Sequence, residues 1–477
     1  MIKFPPVKRF SDPIHSVIEL TNPELEIIKT KSFQRLRHVK QLGLAHYVYP
    51  SVDYSRFSHS LGVCHLMGKI LGNLKRAGGI KITQEECQNY RIAGLLHDIG
   101  HYPFSHPMEH AIKKYYSSLI IRNKTSTDGK SKDGYEKFYM HDRVGKEILL
   151  QDDEIRNVLK KYNIEPKDIY SIFLREIPPR FSNLISSDLD ADRIDFLLRT
   201  SHHSGLPYGS LDVDYLLSRI CLDRQNRICL HSKAVKTADH FLLARYFDYQ
   251  SVAYHKTVAG LELILKDVIG ILLKEEYIKC TSLDIKRLIA KDQWCRFDDA
   301  AIIQKIKELD SKTKNKITRL KTRSIIDRIP PKLIAEYERL DDRTEQSIEE
   351  FRSKRDQLII KIKDWSKQFN IPIELWKIWD LPGHTLTKIG SSIPISTVER
   401  AGPEINDDIG QSVRIVDMKG GTSKSIMEIN NSFMKILSNK ALFSIKLFVL
   451  FPDYNENLRE RIRKQVIHDF PGIFIGG

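Results

Sequence analysis

The strongest constraint on how this chain folds is a set of potential metal ligands spread over three segments with helical periodicity. His59 stands near the start of one apolar segment, the pair His97-Asp98 ends a second, and Asp192 lies within a third. Two imidazoles and two carboxylates suit a borderline-to-hard divalent cation such as Mn, Fe, Zn, Ni or Mg. If these groups share one cation, the three segments must meet at one point.

The residues around the pair His97-Asp98 strengthen that interpretation. The stretch GLLHDIGHYPFSH places His101 and His106 close behind the pair, and buried imidazoles are costly unless they have partners. A glycine and a proline within the stretch oppose continuation of the preceding helix. We therefore expect the four side chains to lie at a helix end, where groups from other helices can join them.

The segment DLDADRIDFLLR places three carboxylates on one helix face. Asp188, Asp192 and Asp195 are three or four residues apart, which is the spacing of neighbours on a helix. A row of carboxylates is usually a solvated face, but this one is interleaved with leucines and an isoleucine. The pattern therefore indicates a half-buried face on which a carboxylate acts as a ligand or in an ion pair.

Composition describes an ordinary globular protein with a basic surface. The 477 residues carry a net charge of +15 and are 41% hydrophobic, and the six cysteines form no CxxC pair. The longest apolar stretch, Leu442 to Phe451, is too short to cross a bilayer. We expect a cytoplasmic protein with reduced thiols and no membrane association. The charge fits nucleotide or nucleic-acid binding, and equally a solvated basic surface.

Periodicity predicts a mostly helical chain with a mixed C-terminal part. Helices are expected within 23–42, 59–76, 84–97, 141–150, 187–199 and 238–273, and 123–134 is expected to be a loop. The charged stretch 284–369 has helical periodicity that is broken at Pro330-Pro331. From 371 onward, short β-like runs alternate with glycine and proline turns, which predicts a small α+β lobe.

Several of these motifs together resemble a known enzyme family. Five motifs resemble those of the SAM-and-HD-domain deoxynucleoside triphosphate triphosphohydrolases and occur in the same order, over roughly residues 7–260. In chain order they are DPIHSVIELTNPELEIIKTKSFQRLRHVKQLG, RFSHSLGV, HDIGHYPFSH, MHDRVG and SSDLDADRIDFLLRTSHHSG. The resemblance implies a mainly α fold with an HD catalytic domain, expected over 1–275 together with the basic N-terminal segment. The pattern of the chain predicts a charged helical region over 276–370 and a small α+β lobe over 371–477, where the family is matched only in general pattern. It also implies a homodimer or homotetramer.

The resemblance assigns roles to individual residues. It implies one divalent metal per subunit, held by His59, His97, Asp98 and Asp192, and a phosphate site formed by His101, His106 and His141. It implies that the substrate is contacted by Arg56, Arg193, Arg245, Lys256, Gln41, Leu42 and Tyr254. Lys8, Gln34 and Arg37 match contacts to an allosteric nucleotide in the activator-dependent animal members.

The chain departs from the family at five positions. Thr200 replaces an aspartate that holds the sugar 3′-hydroxyl, and Phe196 and Ala253 replace two tyrosines. These changes predict relaxed or altered sugar recognition, since such a site discriminates through its polar partners. Lys29 replaces the guanine-reading aspartate and Tyr215 an arginine of the neighbouring allosteric site. A lysine cannot accept guanine N–H groups, so activation by another nucleotide, or by none, stays open.

Three functions follow from these observations. The first is hydrolysis of (deoxy)nucleoside triphosphates to nucleoside and tripolyphosphate, with His106 as the first choice and His141 as the second for the proton donor to the leaving oxygen. The second is an HD-type phosphodiesterase or nuclease acting on single-stranded nucleic acid, which the charge favours. The third is a nucleotide-binding regulator without turnover, which has no physical need for an intact metal and phosphate set.

Overall fold

The computed structural model describes residues 5–77, 81–122, 138–174, 181, 184–185, 187–385, 412–418 and 421–471. Helices dominate these residues, and the sheets are small. The predicted mainly α fold is therefore confirmed. The loop predicted over 123–134 lies outside the described residues.

The N-terminal segment is a hairpin followed by two short helices. Strands β1 (Pro6–Asp12) and β2 (Ser16–Thr21) pair antiparallel. Helices α1 (Asn22–Lys29) and α2 (Lys31–Gln34) follow, and a 3-10 turn covers Arg35–His38. The single helix predicted from Pro23 to Leu42 is thus wrong. Thr30 is extended and its hydroxyl donates to the carbonyl of Ile27, which ends α1 one residue before α2 begins.

Long helices with buried apolar faces form the centre of the protein. They are α3 (Arg56–Ala77), α4 (Gln84–Leu96), α5 (His106–Arg122), α6 (His141–Gln151), α7 (Asp153–Lys161), α8 (Pro166–Leu174) and α9 (Ala191–Ser204). Thr83 and Glu86 form a capping box that fixes where α4 begins. Gly205, with φ of 72°, ends α9 in the left-handed conformation that glycine tolerates best.

The stretch predicted as one or two helices over 238–273 is interrupted at one position. Helix α10 (Val213–Ser218) precedes a hairpin of β3 (Ile220–Leu222) and β4 (Ile228–His231). Helix α11 (Val235–Asp248) then passes through a π-helical turn, Tyr249–Ala253, into α12 (Lys256–Lys274). Turns of this kind often occur at functional sites, and this one contributes to the cavity described below.

The C-terminal half combines helices with a three-stranded sheet. Helices α13 (Ser282–Ala290), α14 (Asp299–Lys312) and α15 (Lys316–Ile326) precede strand β5 (Lys332–Asp342), helix α16 (Glu345–Gln368) and strand β6 (Trp376–Thr385). The remaining elements are β7 (Arg414–Val416), β8 (Lys424–Ser425), α17 (Phe433–Leu437), β9 (Lys440–Val449) and α18 (Glu456–Asp469).

Strand β5 corrects one sequence expectation. The periodicity predicted helix over this stretch, but β5 and β6 both pair antiparallel with β9, in the order β5-β9-β6. Its partner lies about a hundred residues further along the chain, so a local pattern cannot reveal the pairing. The domain boundary near 370 stays a prediction. Among the described residues, no helix is both long enough and apolar enough to cross a lipid bilayer.

Candidate metal centre

Three helices deliver the four predicted ligands to one place. His59 is in the first turn of α3, His97 caps the C-terminus of α4 with Asp98 directly after it, and Asp192 is in the first turn of α9. Nε2 of His59 lies 2.9 Å from Oδ1 of Asp192 and 3.9 Å from Oδ2 of Asp98. Nε2 of His97 lies 3.3 Å from Oδ1 of Asp98 and 3.7 Å from Oδ1 of Asp192.

This arrangement fits a divalent cation. Ligand atoms of His59, His97 and Asp98 all lie within 4.8 Å of one another, and Asp192 extends the group. Nε2 of His97 is buried without a hydrogen-bond partner among the described residues. A buried, unpartnered ring nitrogen that faces carboxylates is costly unless something binds it. The site could therefore hold a metal, and its two nitrogen and two oxygen donors suit Mn, Fe, Zn, Ni or Mg.

A buried carboxylate behind the ligands orients His59. Oδ2 of Asp195 accepts from Nδ1 of His59 at 2.7 Å, while Oδ1 accepts from Nε2 of His15 at 2.7 Å. Arg199 donates to both oxygens at 2.9 and 2.8 Å. Burial disfavours the charged carboxylate, but Arg199 and the two histidines hold the pKa of Asp195 well below its usual range. Because the hydrogen bond fixes the proton on Nδ1, Nε2 of His59 is left to face the cation.

Two glycines of the sequence motifs permit close approaches at this centre. A Cβ on Gly62 would lie 1.8 Å from Oδ1 of Asp195, so only glycine lets the carboxylate approach α3. A Cβ on Gly100 would lie 2.1 Å from the carbonyl oxygen of His141 and 2.3 Å from the backbone nitrogen of Gly145. Gly100 therefore allows the start of α6 to pack against the turn that follows the metal ligands.

Arg56 connects the metal ligands to the cavity. Its guanidinium pairs with Asp98 and donates through Nε to Oγ of Ser105 at 2.9 Å. His101 places Nε2 3.2 Å from Oδ1 of Asp98. Burial alone would raise the pKa of Asp98, but the charge of Arg56 and the neighbouring histidines lower it well below its usual range. Asp98 therefore stays ionised and able to bind a cation.

A second cluster joins three histidines to one carboxylate. The rings of His101 and His141 stack with centroids 4.0 Å apart, and the His106 ring lies 5.3 and 5.8 Å from them. Glu109 accepts from Nδ1 and the backbone nitrogen of His141 at 2.9 and 2.6 Å, and lies 3.4 Å from Nδ1 of His106. Sequence reasoning missed Glu109. Its only signal was its position three residues after His106, which is common on solvated helices.

The pKa values of His141 and His101 are shifted in opposite directions. Burial disfavours a charged ring in both, but hydrogen bonding and charge from Glu109 raise the pKa of His141. Burial, and then the charges of Arg56 and His141, lower the pKa of His101 well below its usual range. His141 is therefore the better proton carrier of the stacked pair, and His101 stays neutral.

Both clusters open into one cavity of about 590 Å³. Of the predicted site residues, the cavity is lined by Gln41, Leu42, Arg56, His97, Asp98, His101, His106, His141, Asp192, Arg193 and Tyr254. His59 lies behind this wall and is fully buried. The sequence also missed Trp379, which β6 contributes to the cavity from the C-terminal sheet.

Two predicted substrate contacts lie away from this wall. Arg245 is buried, pairs with Asp188 at 3.1 Å and is not among the residues that line the cavity. Lys256 is exposed at the first residue of α12. The three residues matched to an allosteric site lie on the N-terminal segment: Lys8 is exposed on β1, and Nε of Arg37 donates to Oε1 of Gln34 at 2.8 Å. Their proposed role stays a prediction.

The five positions that depart from the family are placed as follows. Phe196 and Ala253 line the cavity, so the loss of their hydroxyls changes its wall. Thr200 is fully buried, with Oγ1 2.7 Å from the hydroxyl of Tyr54. Lys29 ends α1, and the Tyr215 hydroxyl donates to the carbonyl of Lys233 at 3.3 Å.

Comparison with known proteins agrees with this geometry. Residues 56–241 match the HD domain family, and 211–362 match the HD associated region. An uncharacterized protein of Methanocaldococcus jannaschii is 33% identical over 300 residues, covering 62% of this chain and 54% of that protein. The deoxynucleoside triphosphate triphosphohydrolase SAMHD1 of Gallus gallus is 30% identical over 284 residues, covering 55% and 45%. The chain spans about half the length of these relatives.

Solved structures show the same fold over nearly the whole chain. A hypothetical protein from Aquifex aeolicus superposes with a TM-score of 0.66 at 23% identity, covering 96% of this chain and 99% of that one. A phosphohydrolase from Bacteroides thetaiotaomicron gives 0.64 at 23%, covering 93% and 99%. These structures show a shared fold, while the sequence is similar to the HD domain over 56–241, to the HD associated region over 211–362, and to the SAMHD1 triphosphohydrolases over about half of the chain.

Proposed function

We propose that the protein is a metal-dependent phosphohydrolase that cleaves deoxynucleoside triphosphates into nucleoside and tripolyphosphate. One observation carries the proposal: three of the four side chains able to hold a cation, His97, Asp98 and Asp192, line a cavity that other histidines and arginines also line. Its volume of about 590 Å³ is in the range in which proteins bind small ligands. Homology to proteins named deoxynucleoside triphosphate triphosphohydrolases supports this choice of substrate.

Arg56 and Arg193 are the groups that we assign to the phosphates. Both line the cavity, and each is paired with a carboxylate, Arg56 with Asp98 and Arg193 with Asp190 at 2.7 Å. These pairs fix the guanidinium groups before a substrate arrives, and guanidinium forks match phosphate oxygens well. A divalent cation bound by the four ligands would withdraw charge from a phosphate oxygen and acidify the attacking water.

The leaving nucleoside needs a proton. Attack of water on the α-phosphorus breaks the bond to the 5′-oxygen, the water oxygen stays on the tripolyphosphate, and the 5′-oxygen must be protonated. His106 and His141 share the Glu109 carboxylate, which raises the pKa of His141. We assign the proton transfer to this pair, and His101, held neutral against Asp98, helps to position the His141 ring that stacks on it.

Product analysis tests the proposal directly. Purified protein is incubated with Mn or Mg and each dNTP, each NTP or a labelled oligonucleotide, in water enriched in 18O. We expect nucleoside and tripolyphosphate, with the label in tripolyphosphate. Asp98→Asn should lose turnover and metal retention together, while the matched change at the exposed Asp153 should lose neither. Shortened oligonucleotide would indicate the nuclease instead, and binding without turnover the regulator.

A second substrate tests the proton donor. In p-nitrophenyl triphosphate the leaving group is stable without a proton, so general-acid assistance is not needed. The variants His106→Ala and His141→Ala should each be compared on dNTP and on this ester. The variant that lacks the donor should lose about 10²–10⁴-fold on dNTP and far less on the ester. Equal losses on both substrates in both variants would contradict the assignment.

A further inference from the structure

A second set of side chains lines the same cavity outside the metal and histidine clusters. Tyr254 follows the π-helical turn, Trp379 comes from β6, and Glu262 and Lys266 are one turn apart on α12. Neither cation chemistry nor proton transfer uses them. Of these four residues, the sequence predicts only Tyr254 as a substrate contact.

The two aromatic rings form one fixed surface. The ring centroids of Tyr254 and Trp379 lie 5.1 Å apart, and both residues are half-buried. Lys446 on β9 holds them from behind, since its Nζ donates to the carbonyl of Tyr254 at 2.8 Å and lies 5.2 Å from the Trp379 ring centroid. Aromatic rings of this kind stack on nucleobases, whatever the base.

Glu262 adds a hydrogen-bond acceptor to the wall of the same cavity. It faces the cavity half-buried, and no described residue donates a hydrogen bond to its carboxylate. Burial raises its pKa to about 7, and Lys266 opposes that shift. A carboxylate repels phosphate, so this part of the wall is suited to the other end of a nucleotide.

The wall is continuous between the proton-donating histidines and Glu262. His110 is one turn after His106 on α5, with ring centroids 6.4 Å apart. Burial, and then the nearby charge of Lys266, lower the pKa of His110. A nucleotide whose 5′-oxygen lies against His106 would therefore extend its sugar and base along α5 toward α12.

We propose that Tyr254, Trp379 and Glu262 form the nucleobase pocket of this cavity and that it prefers guanine. The inference rests on the proposed function for the orientation of the nucleotide. The Watson–Crick edge of guanine offers two adjacent N–H donors, which a carboxylate accepts with both oxygens. Adenine and cytosine each set an acceptor beside one donor, and thymine flanks its donor with two carbonyls. A site that hydrogen-bonds one edge rejects analogues that lack it.

Two measurements test the pocket. The first is kcat/KM for the four dNTPs in the wild type, in Glu262→Gln and in the control Glu275→Gln, an exposed residue at the end of the same helix. The wild type should prefer dGTP over dTTP by at least about tenfold. A glutamine amide has one acceptor oxygen where the carboxylate has two, so it cannot accept both guanine N–H groups. Glu262→Gln should therefore lose dGTP selectivity, and Glu275→Gln should not.

The second measurement is equilibrium dialysis of deoxyguanosine and thymidine against the metal-free protein, which needs no turnover. Trp379→Ala should weaken both nucleosides alike, and Glu262→Gln should weaken deoxyguanosine alone. The pocket proposal would be wrong if the wild type bound both nucleosides equally. It would also be wrong if folded Glu262→Gln kept the wild-type ratio of deoxyguanosine to thymidine affinity. Absence of dNTP hydrolysis would contradict the proposed function instead. The dialysis would still show whether these side chains bind guanine.

Discussion

The variant Asp195→Asn tests whether the buried carboxylate behind His59 controls metal binding. Asp195 accepts four hydrogen bonds, one each from His59 and His15 and two from Arg199. Asparagine has a single acceptor oxygen, and its NH2 group would face a donor. If the proton on Nδ1 of His59 is no longer fixed, the ring populates the tautomer with hydrogen on Nε2, which cannot bind a cation.

The expected magnitude has two parts. Loss of a partner that orients a metal-binding histidine costs about 10–100-fold in metal affinity, or about 1.4–2.7 kcal/mol. Breaking a buried ion pair costs about 3–5 kcal/mol of unfolding free energy. Arg199 keeps a second partner, since Nη1 lies 3.0 Å from Oδ2 of Asp12. We therefore expect destabilisation near 3 kcal/mol, at the lower end of that range.

The assay is calorimetric titration with Mn²⁺, together with urea unfolding followed by circular dichroism. The control is Glu24→Gln. Glu24 is also a buried carboxylate paired with an arginine, Arg91, at 2.7 Å, and its other partners are Gln88 and the backbone of Thr21. Glu24→Gln should lose stability without losing metal affinity. If folded Asp195→Asn bound Mn²⁺ within twofold of the wild type, the reasoning would be refuted. If both variants lost metal equally, the cause would be general destabilisation.

Three further outcomes follow from the same contacts. Gly62→Ala pushes the Asp195 carboxylate aside without changing its charge, so it should also weaken Mn²⁺ binding in the same titration. Glu109→Gln removes the group that raises the pKa of His141; if protonated His141 is required, the alkaline limb of the kcat–pH profile should move to lower pH. Ion pairing outweighs burial and lowers the pKa of Glu24. Its contribution to stability is therefore present above pH 4.5 and lost as the pH falls below that value. Between pH 5 and 3, the free energy of unfolding measured in urea should therefore fall less in Glu24→Gln than in the wild type.

The parts of the site that the sequence predicted are those with local signals. His97 and Asp98 are adjacent, and the motif around them ends a helix through its own glycine and proline. His59 and Asp192 lie in apolar helical segments, whose periodicity predicts α3 and α9 to within a few residues. A shared cation would require all four side chains to converge, which is how the sequence predicts that these segments meet. The predicted homodimer or homotetramer and the cytoplasmic location stay predictions.

The parts that the sequence did not predict depend on distant pairing. Glu109 can accept a hydrogen bond from His141 only because α6 brings that histidine against it. The approach of α6 depends on the missing Cβ of Gly100. Strand β5 has the charged composition of a solvated helix, and it is a strand because it pairs with β9. Trp379 is placed in the cavity by the same sheet.

The C-terminal sheet is therefore part of the candidate site. Lys446 is nearly buried, pairs with Glu336 of β5 at 3.0 Å and donates to the carbonyl of Tyr254 at 2.8 Å. This lysine joins two strands to Tyr254, the residue that follows the π-helical turn. Tyr254 is thus held at the cavity by a lysine nearly two hundred positions further along the chain. The proposed nucleobase pocket can therefore change through that sheet while the predicted metal ligands, at α3, α4 and α9, keep their positions.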